Sequence, residues 1–368
     1  AGWQVVGTSL GTFAYRVNNT AVTELNLLGN LGNATYRQAG DLYGIILLPE
    51  SATGADIEAA RKLLIDRGAA DGPTGTSMAN YFRNRNDIVE VHLADISGIS
   101  SLLYTWNGTR ITSFPFIDTS NVTSLHATFT SSHLTSFPLL DTSNVTDVFY
   151  CWYANPLTSF PALDLSNCTN FISAWQGTSA LTSFPAGAKL GTSAQNVNFS
   201  SAWWDSGLTS FSTPLPTAGG CFAAFYNSDL ETFNTSLPSA TNLSHTWGAC
   251  SSLTDFSANV FDNWNPSSIG NTVFNNAWDG CTSLTAQSVE NILTSIDASG
   301  KYATTTGVSG GSALTDAGID IDYNVATGSL SAATNAAIDS LSGKGWEVYI
   351  NGVLVIPNIL DLAPAAAY

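Results

Sequence analysis

Charge is what this chain has least of. Asp, Glu, Lys and Arg together make up 11% of its 368 residues, against about 25% in an ordinary soluble domain. Cationic residues are the scarcer half: 11 Lys and Arg face 28 Asp and Glu, for a formal charge of −17. Phosphate backbones are held by a basic footprint, so this balance argues against nucleic acid as a partner and against anionic membrane surfaces. No apolar run approaches the roughly 18 residues that a spanning helix needs, so no membrane insertion is expected. Histidine is sparse, at His92, His126, His133 and His245. There is no His-Glu-x-x-His, no Gly-x-Ser-x-Gly, no Walker loop and no dinucleotide fingerprint. Asp205, Asp229 and Asp255 are the nearest thing to the paired carboxylates of a glycosidase, but their spacing does not set two of them at a working separation. The expectation is no catalytic residue, no cofactor and no metal.

Cysteine is also limited. The five thiols are Cys151, Cys168, Cys221, Cys250 and Cys281, an odd number with no Cys-x-x-Cys zinc pair. Cys250 and Cys281 each follow a Trp by three residues. They read either as a disulfide pair or as small buried side chains. No signal peptide is visible, and Ala1 in place of Met reads as a processed or trimmed start.

Gly, Ser, Thr and Asn take the place of charge, and a hydrophobic fraction of 44% still supports a real core. Such a surface suits an extracellular or virion exterior, and close packing of subunits where few charges need desolvating. Several of the nine Asn-x-Ser/Thr sequons belong to a repeat, so they carry little weight for glycosylation.

That repeat dominates the middle of the chain. Ile111-Thr112-Ser113-Phe114 is followed by Leu134-Thr135-Ser136-Phe137, Leu157-Thr158-Ser159-Phe160, Leu181-Thr182-Ser183-Phe184 and Leu208-Thr209-Ser210-Phe211. Leu230-Glu231-Thr232-Phe233 and Leu253-Thr254-Asp255-Phe256 are worn copies. The leading residues are 23, 23, 24, 27, 22 and 23 positions apart. A fixed period of this length marks stacked units, none of which can bury its apolar face alone. An aromatic ring stands five or six residues before each leading residue: Trp106, Phe129, Trp152, Trp175, Trp203, Phe225 and Trp247, with Trp278 before Leu284. One ring per unit at one position predicts a buried structural ladder; the competing reading is a stacking platform for sugars or bases. A third register places Asp95, Asp118, Asp141 and Asp164 23 residues apart, with Asn121, Asn144 and Asn167 in the Asp-x-Ser-Asn turns. Asx and Ser side chains close turns on nearby backbone. A calcium column is the sharper alternative, but the ion needs about six to eight oxygens.

Two strings carry a resemblance. Ala174-Trp175 … Leu181-Thr182-Ser183-Phe184-Pro185 and Trp247-Gly248-Ala249-Cys250-Ser251-Ser252-Leu253-Thr254 resemble the Ala-Phe … Cys-Ser-Ser-Leu-Thr-Ser-Ile unit of BspA-type leucine-rich repeats. The Asp-Thr-Ser-Asn-Val-Thr and Asp-Leu-Ser-Asn turns look like a subtype found in bacterial surface proteins. The resemblance covers roughly residues 88–300 and departs from the pattern where Trp replaces Phe and where Pro follows Phe. The C-terminal Ser-Val-Glu-Asn-Ile-Leu-Thr-Ser-Ile helix and Ala-Ile-Asp-Ser-Leu … Lys-Gly-Trp ending are similar to the ends of repeat proteins of phages, especially cyanophages. The resemblance implies a mainly β leucine-rich-repeat-like solenoid with short helices, made of about eight coils of 22–28 residues.

The expected organisation is a β-rich module at 1–50, a helix and loop at 51–87 that serve as an N-terminal cap, the repeats at 88–283, an α/β cap at 284–350, and an apolar tail at 351–368 that could dock on a neighbour. The helices are expected over 54–67, 288–296 and 331–342, the last presenting Ala332, Ala336, Ile338 and Leu341. Ligand contacts are sought where the period breaks, at the insertion around Gly187–Gln195 and the doubled Trp203-Trp204. Trp203 is in the ladder register, so Trp204 points the other way. It either packs on the inserted loop or stacks beside Asp205 on a sugar. Tyr153 and Tyr226, which also follow a ladder ring, invite the same two readings.

The function implied is non-enzymatic: a virion surface protein, such as a tail fibre or similar appendage, that recognises a host cell-surface glycan or protein. The alternatives are a secreted, cell-surface adhesin of BspA type and a self-assembling subunit of a surface filament. Other virion or surface subunits and copies of itself are the further partners expected.

Overall fold

The computed structural model of the chain describes residues 76–91, 96–193 and 196–356, together with four two-residue strands nearer the N terminus. Of these, β1 (Trp3–Gln4) pairs antiparallel with β4 (Leu48–Pro49), and β2 (Tyr15–Arg16) pairs antiparallel with β3 (Tyr43–Gly44). The helix expected over 54–67, Asp95, and the docking arm at Leu360–Tyr368 lie outside the described residues.

From residue 76 onward successive repeats lie parallel and in register. Bridges run Ser77 to Ser101, Ser124, Asp147, Asn170 and Asn198, and later from Gly220 to Asn242. Each bridging residue stands five places before a ring. The ring residue itself ties its repeat to the next. The N–H of Trp106 donates to the Thr128 carbonyl at 2.9 Å, that of Trp152 to Ala174 at 2.9 Å, that of Trp175 to Ala202 at 2.8 Å and that of Trp203 to Ala224 at 2.8 Å. Registered backbone bonds force the side chains into columns, and the rings stack as a result. Trp152 lies 5.3 Å from Trp175, Trp175 lies 5.3 Å from Trp203, and Trp203 lies 5.0 Å from Phe225, with planes within 7° of parallel. The column starts one repeat earlier than expected. Phe82, 24 residues before Trp106, stacks on it at 6.0 Å. Met78 is buried beside it, so residues 77–85 form a repeat rather than a capping loop.

The Thr-Ser-Phe motif now has a physical reading. Its Leu and Phe are buried and its Thr and Ser face outward. Thr135 donates both its N–H (3.0 Å) and its Oγ1 (3.1 Å) to the carbonyl of Thr112 one repeat back, and Thr158 does the same to Thr135. The Phe residues form a second column perpendicular to the first. Phe160 sits edge-on to Trp152 at 4.9 Å and to Trp175 at 5.3 Å. The core is thus two interlocked aromatic columns, each edge contact adding about 0.5–1.5 kcal/mol beyond area burial.

Strand geometry is confined to short pieces. β5 (Asp164–Leu165) pairs with β6 (Lys189–Leu190), β7 (Val197–Asn198) with β9 (Ala218–Gly220), and β10 (Thr232–Phe233) with both β8 (Ser210–Phe211) and β11 (Asp255–Phe256), all parallel. Strands stay short because each repeat holds two left-handed residues, two places before and two places after its ring. Around Trp152 these are Tyr150 (φ 52°) and Ala154 (φ 54°); around Trp203 they are Ser201 (φ 55°) and Asp205 (φ 54°). An L-residue pays about 1–2 kcal/mol for this conformation. It persists because the N–H of the left-handed residue is fixed on the next repeat, as Tyr150 is on Ile172 at 3.0 Å and Asp205 on Tyr226 at 3.0 Å.

The Asp register forms Asx turns. Asp118 Oδ1 accepts the N–H and hydroxyl of Ser120, Asp141 Oδ1 those of Ser143, and Asp164 Oδ1 those of Ser166. Asn144 reaches back to the Ser120 carbonyl at 2.7 Å and Asn167 to that of Ser143 at 2.8 Å. The inserted segment supplies β6, whose Lys189 Nζ lies 2.6 Å from Asp164 Oδ2.

At the far end the last repeat is covered by a small α/β unit. α1 (Ala286–Ala298), capped by Thr285, buries Val289, Ile292, Leu293 and Ile296. β12 (Gly318–Ile321) bridges Trp278 through Ile321 and pairs parallel with β13 (Glu347–Ile350). α2 (Ala332–Gly343) packs through Thr334, Ala337, Ile338 and Leu341. The expected face through Ala332 and Ala336 is instead exposed, because burial follows the 334/338/341 stripe. The sheet also outlasts residue 350: β14 (Val353–Leu354) turns back antiparallel on β13, so the first residues assigned to the tail belong to the cap.

The indole N–H groups of Trp106, Trp152, Trp175, Trp203, Trp247 and Trp278 are buried without a hydrogen-bond acceptor. An orphaned buried donor costs on the order of 1–3 kcal/mol, a cost that Phe at the same position does not carry. Trp175→Ala is therefore expected to cost about 3–5 kcal/mol in chemical denaturation, and Trp175→Phe distinctly less. The Lys189 ammonium, with Ser166, holds the Asp164 carboxyl below its ordinary range. A depressed carboxyl stabilises the fold above its unfolded pKa, and that contribution fades as pH falls through the folded value. Lys189→Met should move the Asp164 titration, followed by carboxyl NMR, up toward the ordinary carboxylate range.

Candidate functional site

The broadest run of partly exposed aromatic side chains lies on the turns that carry the left-handed residues. Three positions of each repeat lie along these turns: three and two places before the ring, and one place after it; large side chains there are partly exposed, whereas Ala127, Ser173, Ala223 and Ser244 are buried. Tyr153, Trp204 and Tyr226 all occupy the last position, so the three fall in one column, with Gln176 between the first two.

Trp203 is fully buried in the ladder, whereas Trp204 is partly exposed. Its ring lies 4.9 Å from Tyr226, tilted by 56°. The inserted loop is elsewhere: its backbone bonds run from Lys189 to Leu163 and from Gly191 to Leu165, at the corner holding the Asp turns. Tyr226 in turn covers Gly248, the next residue of the column. A Cβ on Gly248 would stand 3.0 Å from the Tyr226 ring, so this glycine lets the tyrosine lie flat along the face. His245 lies 6.2 Å from Tyr226 and 5.6 Å from Phe222, which is 40% exposed. Asn227 Nδ2 donates to Asp205 Oδ1 at 2.6 Å, and Asn276 Nδ2 meets His245 Nε2 at 3.2 Å. Trp204, Asp205 and Tyr226 thus meet in one cluster with Phe222, His245, Asn227 and Asn276.

Tyr153 belongs to a second cluster two repeats away. It lies 5.1 Å from Tyr150, which lies 4.5 Å from Phe149. Phe149 stacks on His126 at 4.7 Å, and His126 meets Tyr104 at 5.4 Å. Arg83 caps the run with its guanidinium 4.3 Å from the Tyr104 ring centre. His126 Nδ1 is 2.9 Å from Asp147 Oδ2, which fixes the ring. Sequence reasoning passed over Tyr104, His126, Phe149 and Tyr150 because they sit before the ring rather than after it. The signal was available: counting back two or three places from each ring finds them all.

Most backbone polarity on this face is already spent. Alternate N–H groups donate to the next repeat, and several of the rest close local turns: Phe149 N–H goes to Asp147 Oδ1 at 3.0 Å, and Ser200 N–H to Asn198 Oδ1 at 2.9 Å. What remains for a ligand is ring faces, amides and hydroxyls. Among the described residues no group of three or more His, Cys, Asp or Glu is placed to hold a metal ion. The five thiols are free and buried, Cys250 and Cys281 included. Burial pushes Cys168 and Cys221 up to about 12 and Cys250 to about 11, far from nucleophilic use. Cys250 Sγ instead donates to the Phe225 carbonyl at 3.0 Å, and Cys281 Sγ to that of Trp247 at 3.0 Å.

No family model, curated protein or solved structure matches the chain.

Trp204→Ala should leave the melting temperature nearly unchanged, since the side chain lies outside the ladder. Gly248→Ala should displace Tyr226, read as a change in near-ultraviolet circular dichroism, at a cost of about 1–3 kcal/mol from overpacking.

Proposed function

We propose that the chain is a leucine-rich-repeat-like solenoid of a virion surface, a tail fibre or similar appendage, that attaches to a host-cell glycan without catalysing a reaction. The observation that supports this reading most directly is the Trp204–Tyr226 pair. It is a tilted pair of partly exposed rings beside Asp205, Asn227 and His245, held on a rigid stack. Aromatic rings with a polar rim present an apolar face and hydrogen-bonding partners together, which is what a pyranose ring requires. Sparse charge supports a role in which a surface adheres through specific contacts rather than field strength. The virion setting rests on the resemblance of the repeats and the C-terminal segment to phage proteins.

A second reading, assembly with further copies or other surface subunits, is favoured by different residues. Phe116 is 81% exposed, Leu139 in the next repeat is 60% exposed, and Val353, Leu354 and Ile356 are exposed at the end of the cap.

Calorimetric titration with a panel of neutral hexose oligosaccharides and bacterial envelope polysaccharides tests the first reading. Binding weakened at least tenfold by Trp204→Ala, with the polymer recovered uncut, is the expected result. Undiminished binding in Trp204→Ala, or cleavage of the polymer, would overturn it.

A further inference from the structure

The two aromatic clusters lie on the same face, in the same columns, along the direction in which the repeats stack. We infer that they are two subsites for one extended, uncharged, linear polysaccharide that runs along the stack axis; the inference rests on the glycan reading of the Trp204 cluster and assigns that ligand its shape, polarity and direction.

Four observations carry it. The first is pitch. From Tyr153 to Trp204 the face advances by two repeats, each a 5.3 Å step at the underlying rings Trp152, Trp175 and Trp203. In an extended β-1,4-linked chain each hexopyranose advances by about one such step and is turned over relative to its neighbours, so rings two repeats apart in one column, as Tyr153 and Trp204 are, can meet alternate sugars through the same face. The second is relief. Between the clusters the outward positions hold Ile172, Ser173, Gln176, Ser200 and Ser201, all partly or fully buried. Apart from Ile172 the floor there is polar, it carries no ring, and the large rings stand at its two ends.

The third observation is polarity. The ionisable groups within the two clusters are already engaged: Asp147 with His126 at 2.9 Å, Asp205 with Asn227 at 2.6 Å, His245 with Asn276 at 3.2 Å, and Arg83 with Asn80 at 3.0 Å and the Tyr104 ring. With a formal charge of −17 over the chain, a polyanion would meet net repulsion. The fourth is the spent backbone. An extended peptide would bind by adding a strand to a continuous row of free N–H and C=O groups, and most turn N–H groups here are committed to neighbouring repeats or to local turns.

Two linked subsites make the second contact intramolecular, so affinity should rise by about 10²-fold or more once a chain is long enough to reach both. The test uses linear β-1,4- and β-1,3-linked gluco-oligosaccharides of graded length, with a uronate polymer and an extended Ser/Thr-rich peptide alongside. Two variants borrow residues the repeats already use at these positions: Tyr150→Ser with Tyr153→Gln, as in Ser173 and Gln176, and Trp204→Gln. Native folding is checked by an unchanged melting temperature.

The expected result is a steep gain in affinity with length for the native chain. Each variant should flatten the length dependence while keeping single-subsite affinity for short oligomers at the other cluster. Length-independent binding lost only in Trp204→Gln would overturn the two-subsite inference and leave the single-site glycan reading standing. Preference for the uronate polymer or the peptide would overturn the uncharged-polysaccharide assignment. Failure of every oligosaccharide to bind the native chain would overturn both.

Discussion

A single hydrogen bond, repeated once per unit, sets everything else in place: the N–H of each ring residue donates to the carbonyl just before the next ring. At 2.8–2.9 Å from Trp106 through Trp247, it fixes the registration of one repeat on another. Registration puts equivalent side chains about 5 Å apart. At that spacing flat rings stack, Phe edges fill the gaps between them, and Thr hydroxyls reach the carbonyl one repeat back. A slip of one residue would bring polar neighbours into the ring column and turn the indoles outward. The aromatic core is therefore a consequence of backbone registration as much as a cause of it. Sidedness follows too, because the turns that hold the ring inside hold its neighbours outside.

The indole column carries a cost that a hydrocarbon ladder would avoid. Trp264 donates its N–H to Ala240 and Trp346 to Lys301, but the ladder indoles lack an acceptor. Their larger area in stacked and perpendicular contact offsets the loss. Phe at Phe82, Phe129 and Phe225 interrupts the run. Phe129 and Trp152 communicate edge-on through Phe137, at 5.3 and 5.2 Å, rather than face to face.

Much of this scaffold was legible from spacing. Trp106 to Trp278 could be placed inside because a residue that returns with every period must occupy an equivalent environment each time. The helix at 286–298 was legible from its stripe of Val289, Ile292, Leu293 and Ile296. Phe82 was missed because its repeat lacks the Leu-Thr-Ser-Phe string that announced the others, and Ala332 and Ala336 misled because alanine is compatible with either face. The site was half legible. Tyr153, Trp204 and Tyr226 share the position after a ring, and that alone set them outside. Their neighbours Phe222, His245, Tyr104 and Phe149 also keep a fixed spacing, two or three places before a ring, but that those positions face outward follows from the left-handed turns, whose φ values propensity would not assign to Tyr, Ala or Ser.

Those turns have a further consequence. The position two places before the ring holds Tyr104, Ala127, Tyr150, Ser173, Ser201, Ala223, His245 and Asn276, all with φ between 49° and 56°. Ordinarily such a backbone demands glycine or asparagine. Here the neighbouring repeats impose it, and the position takes large, partly exposed side chains at Tyr104, Tyr150 and His245 as readily as the small buried ones of Ala127, Ser173 and Ala223. The column works as an interchangeable row of fittings on a fixed rail. Side chains of different size and polarity therefore succeed one another along the column, while the backbone beneath keeps the same φ from repeat to repeat.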